Sequence, residues 1–350
     1  MKKAKLDFYP KCSASAIGSL PFISPQEAVE AVFGAGLEIP FWPQLPKRDF
    51  REGMLFQFIE NLSFLNIKDK SIVLSDGYNR NLEHVFEAII KKDLDFFSIS
   101  NEYAAGLVEF LDYLKKKNPD VEFIKGQITG PFTLASQIKA PDGNSLLFDA
   151  QLLDAVVSGL AMKAAWQIRE FKRLKRRGII FIDEPYLACF GSGFTPVNRK
   201  DVVEIINRLI QTIEEPECLI GLHCCSNTDW SLLLETDIDI ISFDAFSYFE
   251  RFSLYPRELK DFLGKGGAIA WGIVPTSEFN SNISSEDLVA KFEEGLTSLE
   301  AKGLDKKELI NSSLITPSCG MGSLSGGDCE LILKLLCQTS RRLKERFSLS

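Results

Sequence analysis

The chain has 350 residues, of which 45% are hydrophobic, and this is enough for a large core in two or three domains or in one α/β barrel. Its net charge of −8 argues against a general nucleic-acid-binding protein, because binding to phosphates needs a basic face. No stretch approaches the roughly 18 uninterrupted apolar residues of a membrane span. The amino-terminal residues also lack the apolar region of a signal peptide, so we expect a cytoplasmic protein with no nucleic-acid or membrane partner.

Short β-rich runs alternate with amphipathic helical patterns along the chain. The first strand candidate is "KCSASAIGS", which ends near Ser19, and "PQEAVEAVFGAG" then predicts a helix. "LEIPFWP" and "VEFIKGQITGP" predict the second and third strands, and the longest helical pattern covers about 148–177. Five apolar runs typical of parallel strands buried on both faces follow: "GIIFIDEP", "CLIGLHCC", "DIISFDAF", "GAIAWGIVP" and "SLITPSCG".

Residues 284–303 illustrate the helical patterns, since their apolar residues fall on one face. Ser284 and Asp287 are suited to cap the start of this helix, and Gly303 to end it. The repeated order of strand and helix implies a parallel sheet. Eight strand candidates predict an α/β fold of the (β/α)8 TIM-barrel type, with residues 1–350 as one domain and insertions within 44–120. An open, doubly wound sheet is the alternative.

The late strand candidates each end in polar residues with chemical potential. In a barrel, the carboxyl ends of all strands open onto one face, where active sites lie. We therefore expect these side chains to converge, although they are far apart in the sequence. They are Asp183, Glu184, His223, Cys225, Asp244 and Cys319.

The His-x-Cys pair at 223 and 225 is the most informative of these features. Residues i and i+2 of a strand point the same way, so the His223 imidazole and the Cys225 thiol would lie together, with Cys224 turned away. With sulfur from Cys319 and oxygen from Asp244, this set suits Zn²⁺ better than magnesium or calcium. Three alternatives remain: a structural histidine, cysteines that act as small core residues, and a Cys–His nucleophilic pair.

The run "CGMGSLSGG" after the last strand superficially resembles a nucleotide-binding loop. Its spacing is not that of the dinucleotide fingerprint, and no βαβ unit follows it. We interpret Gly320 and Gly322 as forming a tight turn that exposes Cys319.

Six motifs in order resemble the catalytic barrel of the cobalamin-independent methionine synthase family, within the uroporphyrinogen decarboxylase-like superfamily. They are "AIGSLP" (16–21), "ITGPFTL" (128–134), "FIDEP" (181–185), "HCC" (223–225), "FDAF" (243–246) and "TPSCG" (316–320).

The resemblance implies a zinc-dependent methyltransferase that forms methionine from homocysteine. It places Ile17, Gly18 and Ser19 at the substrate carboxylate, and it gives Asp183 the substrate amino group and a catalytic role.

The resemblance also implies a metal site and shows where this chain departs from the family. The implied zinc ligands are His223, Cys225, Asp244 and Cys319. Asp244 stands where the family has glutamate, so its reach to the metal is one methylene shorter. The family's second-strand carboxylate has no obvious counterpart in "PFWPQLPKRD".

Two further departures concern the methyl donor. The seventh run, "AWGIVPTSE", lacks the histidine that the family uses for proton handling. Only the catalytic barrel is expected in this chain, as in the short "core" methionine synthases. Their resemblance implies a methyl-corrinoid donor, either methylcobalamin or a corrinoid protein partner, in place of methyltetrahydrofolate.

Two rival interpretations stay open. Relatives in the same superfamily methylate coenzyme M from a methyl-corrinoid. A metal-free barrel like uroporphyrinogen decarboxylase, or a corrinoid-binding accessory protein, is the other rival. The absence of arginine from "MKKAKLDFYPKCSASAIGSLP" argues against a decarboxylase, which should hold its substrate's carboxylates with arginines near that end.

Overall fold

The computed structural model describes residues 8–191, 197–213, 215–277 and 279–349. Within these ranges the chain forms nine strands and twelve α-helices. The strands are β1 (Ser13–Ala14), β2 (Leu65–Lys68), β3 (Ser71–Leu74), β4 (Phe123–Thr129), β5 (Arg177–Asp183), β6 (Leu219–Cys224), β7 (Ile240–Phe243), β8 (Ala268–Val274) and β9 (Ser313–Pro317). The helices are α1 (Pro25–Gly34), α2 (Tyr78–Ile90), α3 (Ala105–Lys117), α4 (Pro131–Ser136), α5 (Ala150–Arg173), α6 (Arg199–Ile213), α7 (Trp230–Leu234), α8 (Ala245–Phe252), α9 (Pro256–Gly264), α10 (Ser285–Ala301), α11 (Lys306–Asn311) and α12 (Gly326–Phe347).

Seven strands form one curled parallel sheet in the order β1-β9-β8-β7-β6-β5-β4. All of its strand pairs are parallel, and strand and helix alternate through most of its length. The α/β class and the five late strands predicted from the apolar runs are therefore confirmed. The sheet forms a half-barrel, so an open doubly wound sheet is not what the chain adopts.

The predicted second strand, "LEIPFWP", is not a regular strand. Residues 39–44 instead run between β1 and β4 and hydrogen-bond to the chain on both sides. Trp42 N donates to Lys125 O on one side (3.2 Å), and Gln44 N donates to Gly18 O on the other (3.1 Å). Two prolines in this segment lack N–H groups, which explains why only isolated parallel bridges form here.

The sheet separates two apolar cores. The larger one lies between the sheet and the helices. The smaller one is formed by the alternate strand residues, which fill the concave side of the sheet. Its members are Phe8, Ile39, Phe123, Ile179, Phe181, Leu219, Ile240, Ala268, Ala270 and Leu314. None of its strand members is among the last two residues of a strand, so the carboxyl ends are left for polar side chains.

Local sequence signals set the helix boundaries. The predicted long helix at 148–177 is α5, whose first turn is capped by Asp149. Helix α10 begins with the predicted capping box between Ser284 and Asp287, and Gly303 just beyond it has φ +90°.

The predicted insertions within 44–120 are present. They include the antiparallel hairpin β2–β3 and the helices α2 and α3. Among the described residues, no helix is both long and apolar enough to cross a membrane. A single domain over residues 1–350 stays a prediction.

Candidate functional site

The end of β6 presents a histidine and a cysteine on one side of the strand and a second cysteine on the other. The His223 side chain lies on the concave side of the sheet and is only 3% exposed. Cys224 is buried in the larger core, between the sheet and the helices, and its thiol donates a hydrogen bond to Ser226 O. Cys225 is half-buried on the same side as His223. The alternation predicted for His-x-Cys is therefore confirmed.

Cys319, nearly a hundred residues further along the chain, joins this pair. One nitrogen of His223 and the sulfurs of Cys225 and Cys319 all lie within 4.8 Å of one another. Ligand atoms around a tetrahedral zinc ion lie about 3.6 Å apart, so small side-chain movements would bring the three onto one ion. Within the described residues, these three form the group with potential to hold a metal.

The two nitrogens of His223 have different surroundings. Nδ1 lies 3.0 Å from the Ser242 hydroxyl of β7, the residue in register with His223. Nε2 is buried and has no hydrogen-bond partner in the protein. A buried polar atom without a partner is costly, and a metal ion would satisfy it. Metal-binding histidines commonly hold their second nitrogen in such a hydrogen bond, which fixes the orientation of the ring.

The two thiols differ in acidity because they share one proton. A hydrogen bond from Cys319, helped by His223, lowers the pKa of Cys225 to about 4. The same hydrogen bond, with burial, raises the pKa of Cys319 far above its usual range. The lowered pKa of Cys225 favours its thiolate form, which is the form that binds a metal. Nitrogen with two sulfurs is a donor set that zinc prefers, so the residues present fit this metal.

Asp244 lies at the carboxyl end of β7 but outside this group of three. Its Oδ1 accepts a hydrogen bond from Ser247 N (2.8 Å) and caps α8. Burial raises the pKa of Asp244, and the nearby Cys225 thiolate adds to this effect. Asp244 is therefore close to the site, and its role as a metal ligand stays a prediction.

Asp183 ends β5 beside His223, with which it is in register. Its side chain is 5% exposed, and its Oδ1 has no hydrogen-bond partner in the protein. Desolvation raises the pKa of Asp183, whereas His223 and the buried Lys125 oppose this rise. The hydroxyls of Thr129, at the end of β4, and Thr316, near the end of β9, are also buried without partners. The concave side therefore carries several unused polar atoms near the three candidate ligands.

Ser19 packs against the turn that follows Cys319. Its hydroxyl accepts a hydrogen bond from Gly322 N (3.2 Å), and its carbonyl accepts one from Met321 N (2.8 Å). A Cβ at Gly320 would lie 2.2 Å from the Ser19 hydroxyl. The chain turns after Cys319, as predicted, but neither Gly320 nor Gly322 has a positive φ. The glycines are needed because Ser19 approaches so closely.

Several buried polar residues near the site were missed from the sequence. Lys125 and Gln127 are polar residues within β4, a strand whose residues are all buried. Gln44 lies beside Gly18, since a Cβ at Gly18 would be 2.8 Å from its Oε1. Isolated polar residues in "FIKGQIT" were the available signal, because a polar side chain in an apolar strand must find a partner.

Glu184 explains two of the sequence motifs structurally. Its carboxylate accepts hydrogen bonds from Phe132 N (2.9 Å) and Thr133 N (2.7 Å) at the start of α4. A Cβ at Gly130 would lie 1.9 Å from the Glu184 carboxyl carbon. The "TGP" turn and the "DEP" strand end are therefore complementary parts of one buried contact.

Comparison with known proteins gives one match in sequence. No protein-family model matches the chain. It is 25% identical over 328 residues to the methionine synthase of Methanocaldococcus jannaschii, and the match covers 88% of this chain and 91% of that protein. This likeness supports a methionine synthase-like family.

Likeness to solved structures is weaker. Structures of a pneumococcal exo-β-D-N-acetylglucosaminidase align with TM-scores of 0.46 and 0.44, each at 12% identity. The first alignment covers 94% of this chain and 85% of that chain, and the second covers 96% and 84%. At these scores the likeness carries no argument about function.

Proposed function

We propose that this chain is a zinc-dependent thiol methyltransferase that forms methionine from homocysteine in the cytoplasm. The observation that carries the proposal is the approach of His223, Cys225 and Cys319 to within 4.8 Å, with His223 Nε2 buried and unpartnered. The likeness to a methionine synthase over 88% of the chain supports a methyltransferase-type role. Eight cysteines in 350 residues are too sparse for a disulfide scaffold, which is consistent with a reducing compartment.

The proposed division of roles follows from the contacts at the strand ends. Zinc held by His223, Cys225 and Cys319 would keep a coordinating substrate thiol deprotonated at neutral pH. Asp183 has a free acceptor atom and would hold the substrate ammonium. The backbone at Ile17–Ser19, beside the turn after Cys319, would hold the substrate carboxylate.

Asp244 is proposed as an additional, weakly held ligand. Its Oδ1 is engaged by Ser247 N in the capping of α8, so ligation would use the other carboxylate oxygen. An incoming substrate thiol would displace that oxygen more readily than it would displace a thiolate.

We also infer that the sheet closes into a (β/α)8 barrel of eight extended segments. Residues 39–44 supply the eighth segment, and their hydrogen bonds to Gly18 on one side and Lys125 on the other support this inference. This closure brings Ser19 to the same rim as Asp183 and His223.

The proposed methyl donor is a methyl-corrinoid, either free methylcobalamin or a corrinoid protein. A folate donor leaves poorly unless its pterin is protonated, so it needs a proton donor in the site, whereas the cobalt of a methyl-corrinoid leaves without one. The chain has two histidines. His84 lies on α2 against Phe96, and His223 is already committed to the proposed metal site. This arrangement favours a donor that needs no proton.

The experiment compares purified wild-type protein with Cys319→Ala, using Cys337→Ala on α12 as a matched control. We expect bound zinc in the wild type and in Cys337→Ala, and loss of both zinc and methionine formation in Cys319→Ala. The measurements are zinc content by mass spectrometry and methionine formed from homocysteine with methylcobalamin or methyltetrahydrofolate. We expect much faster turnover with methylcobalamin.

Three outcomes would contradict parts of this proposal. Full activity in metal-free protein would exclude the zinc mechanism and favour the metal-free, decarboxylase-like interpretation. Preference for coenzyme M over homocysteine would change the substrate. Equal rates with the folate donor would reject the corrinoid, even with the zinc site intact.

A further inference from the structure

Lys125 is a fully buried lysine beneath the candidate site, and burial lowers the pKa of its ammonium to about 7. It belongs to β4, and its side chain is 0% exposed. Its ammonium donates a hydrogen bond to the carbonyl oxygen of Ile17 and lies 3.4 Å from Gln127 Oε1. It also lies 4.5 Å from the centre of the Phe181 ring, over its face.

A lysine in this position is costly for the fold. Burial disfavours the charged form of an ammonium strongly, and an apolar side chain of similar volume would fill the same space without that cost. Within the concave side of the sheet, attraction from the Asp183 carboxylate offsets part of the cost. No hydrogen bond joins Lys125 to Asp183 Oδ1, which stays free.

The direct contact of Lys125 is with the segment that is proposed to hold the substrate carboxylate. Its hydrogen bond fixes the Ile17 carbonyl, and this carbonyl lies in the same peptide plane as the N–H group of Gly18. Gly18 is in turn packed against Gln44 and Gln127. The ammonium therefore orients this backbone and places a positive charge directly behind it.

The two buried charges match the two ends of an α-amino acid. The lysine ammonium contacts the Ile17 carbonyl, and the Asp183 carboxylate ends the neighbouring strand β5, next to His223. The carboxylate of an α-amino acid with a side-chain thiol would face Lys125, and its ammonium would face Asp183.

We propose that Lys125 is a positioning residue that gives this site its preference for a thiol bearing a carboxylate, acting through the Ile17 carbonyl. The inference rests on the proposed function, and it deepens that function by assigning recognition of one substrate end. Lys125 does not itself need to contact the substrate.

The test measures thiol binding without methyl transfer, by calorimetry on zinc-loaded protein. Homocysteine is compared with 3-aminopropanethiol, which lacks the carboxylate, and with 4-mercaptobutyrate, which lacks the amino group. In Lys125→Met we expect the preference for homocysteine over 3-aminopropanethiol to fall about tenfold or more, as for loss of a charge-assisted interaction. The preference over 4-mercaptobutyrate should change less than about threefold, because Asp183 sets it.

The matched control is Lys163→Met, which removes another fully buried lysine, located on α5 away from the concave side. We expect both preferences to stay at wild-type values in this variant. Lys125→Gln, which keeps a donor but not the charge, should give an intermediate loss, and it replaces Lys125→Met if that variant does not fold.

Each outcome decides the inference. Wild-type preference for the carboxylate-bearing thiol in whichever Lys125 variants fold would overturn it and leave the proposed function intact. A wild-type protein with no preference for homocysteine over 3-aminopropanethiol would overturn it directly. Failure of the proposed function is seen separately, as homocysteine binding without methyl transfer.

Discussion

Replacing Gly130 by alanine should destabilise the protein severely, because the Glu184 carboxylate occupies the space of the new methyl group. The added Cβ would lie 1.9 Å from the carboxyl carbon and 2.2 Å from Oε1. The carboxylate must move, and it then loses its hydrogen bonds to Phe132 N and Thr133 N. Burial raises the pKa of Glu184 to about 7, so above that pH both bonds are charge-assisted and are worth about 3–6 kcal/mol together. Lower backbone entropy of the unfolded chain returns about 0.4–1 kcal/mol, so we expect a net loss of about 2–5 kcal/mol.

The assay is the free energy of unfolding in urea, with two comparisons. Gly34→Ala at the end of α1 is the control, since nothing lies within 4 Å of its added Cβ, and it should be neutral or slightly stabilising. In a Glu184→Ala background the steric conflict is gone, so Gly130→Ala should then cost under about 1 kcal/mol. Gly130→Ala within about 1 kcal/mol of wild type, or the same cost in both backgrounds, would refute the reasoning.

Two further predictions concern buried polar groups. Ser242→Ala removes the hydrogen-bond partner of His223 Nδ1 and should weaken zinc binding about 10–100-fold in a chelator competition, whereas Ser313→Ala, in another buried strand, should not. Burial, partly opposed by Glu60, lowers the pKa of Lys163 to about 8 from 10.5. Between about pH 8 and 10.5 the unfolded state therefore binds more protons than the folded state. The free energy of unfolding of the wild type consequently rises with pH across this range. Lys163→Met should therefore be about 3 kcal/mol more stable than wild type near pH 7, and urea unfolding should show this gain shrinking towards pH 10.5; a constant difference would contradict the linkage.

The fold was predictable where a local signal and the tertiary requirement coincide. Short apolar runs rich in Ile and Phe predicted β5 to β9, since this composition is typical of parallel strands buried on both faces. The hairpin β2–β3 gave no such signal, because its turn places Asp69 and Lys70 at φ values of 49° and 56° without the usual glycine. The segment "LEIPFWP" was wrongly predicted as a regular strand, since its prolines interrupt the hydrogen bonds to the neighbouring strands.

The candidate site was predictable to the same extent. Side-chain alternation placed His223 and Cys225 together, and the common edge of a parallel sheet brought Cys319 to them. The partners of these residues depend on strand order and register, which no local pattern encodes. Ser242 beside His223 and Lys125 beneath Ile17 became visible only once the strands were aligned.

The irregular segment at residues 39–44 also makes one side of the proposed barrel easier to open than the rest. Its two prolines donate no hydrogen bonds, so this seam has fewer cross-links than the continuous ladders between β5 and β9. Segments with few such bonds open at lower free energy than the core of a sheet. Ile17–Ser19 are attached to this seam through Gln44 N, which donates to Gly18 O. A ligand that bridges Ser19 and Asp183 would hold this segment against the rest of the sheet, so occupancy of the site and closure of the proposed barrel would be thermodynamically coupled.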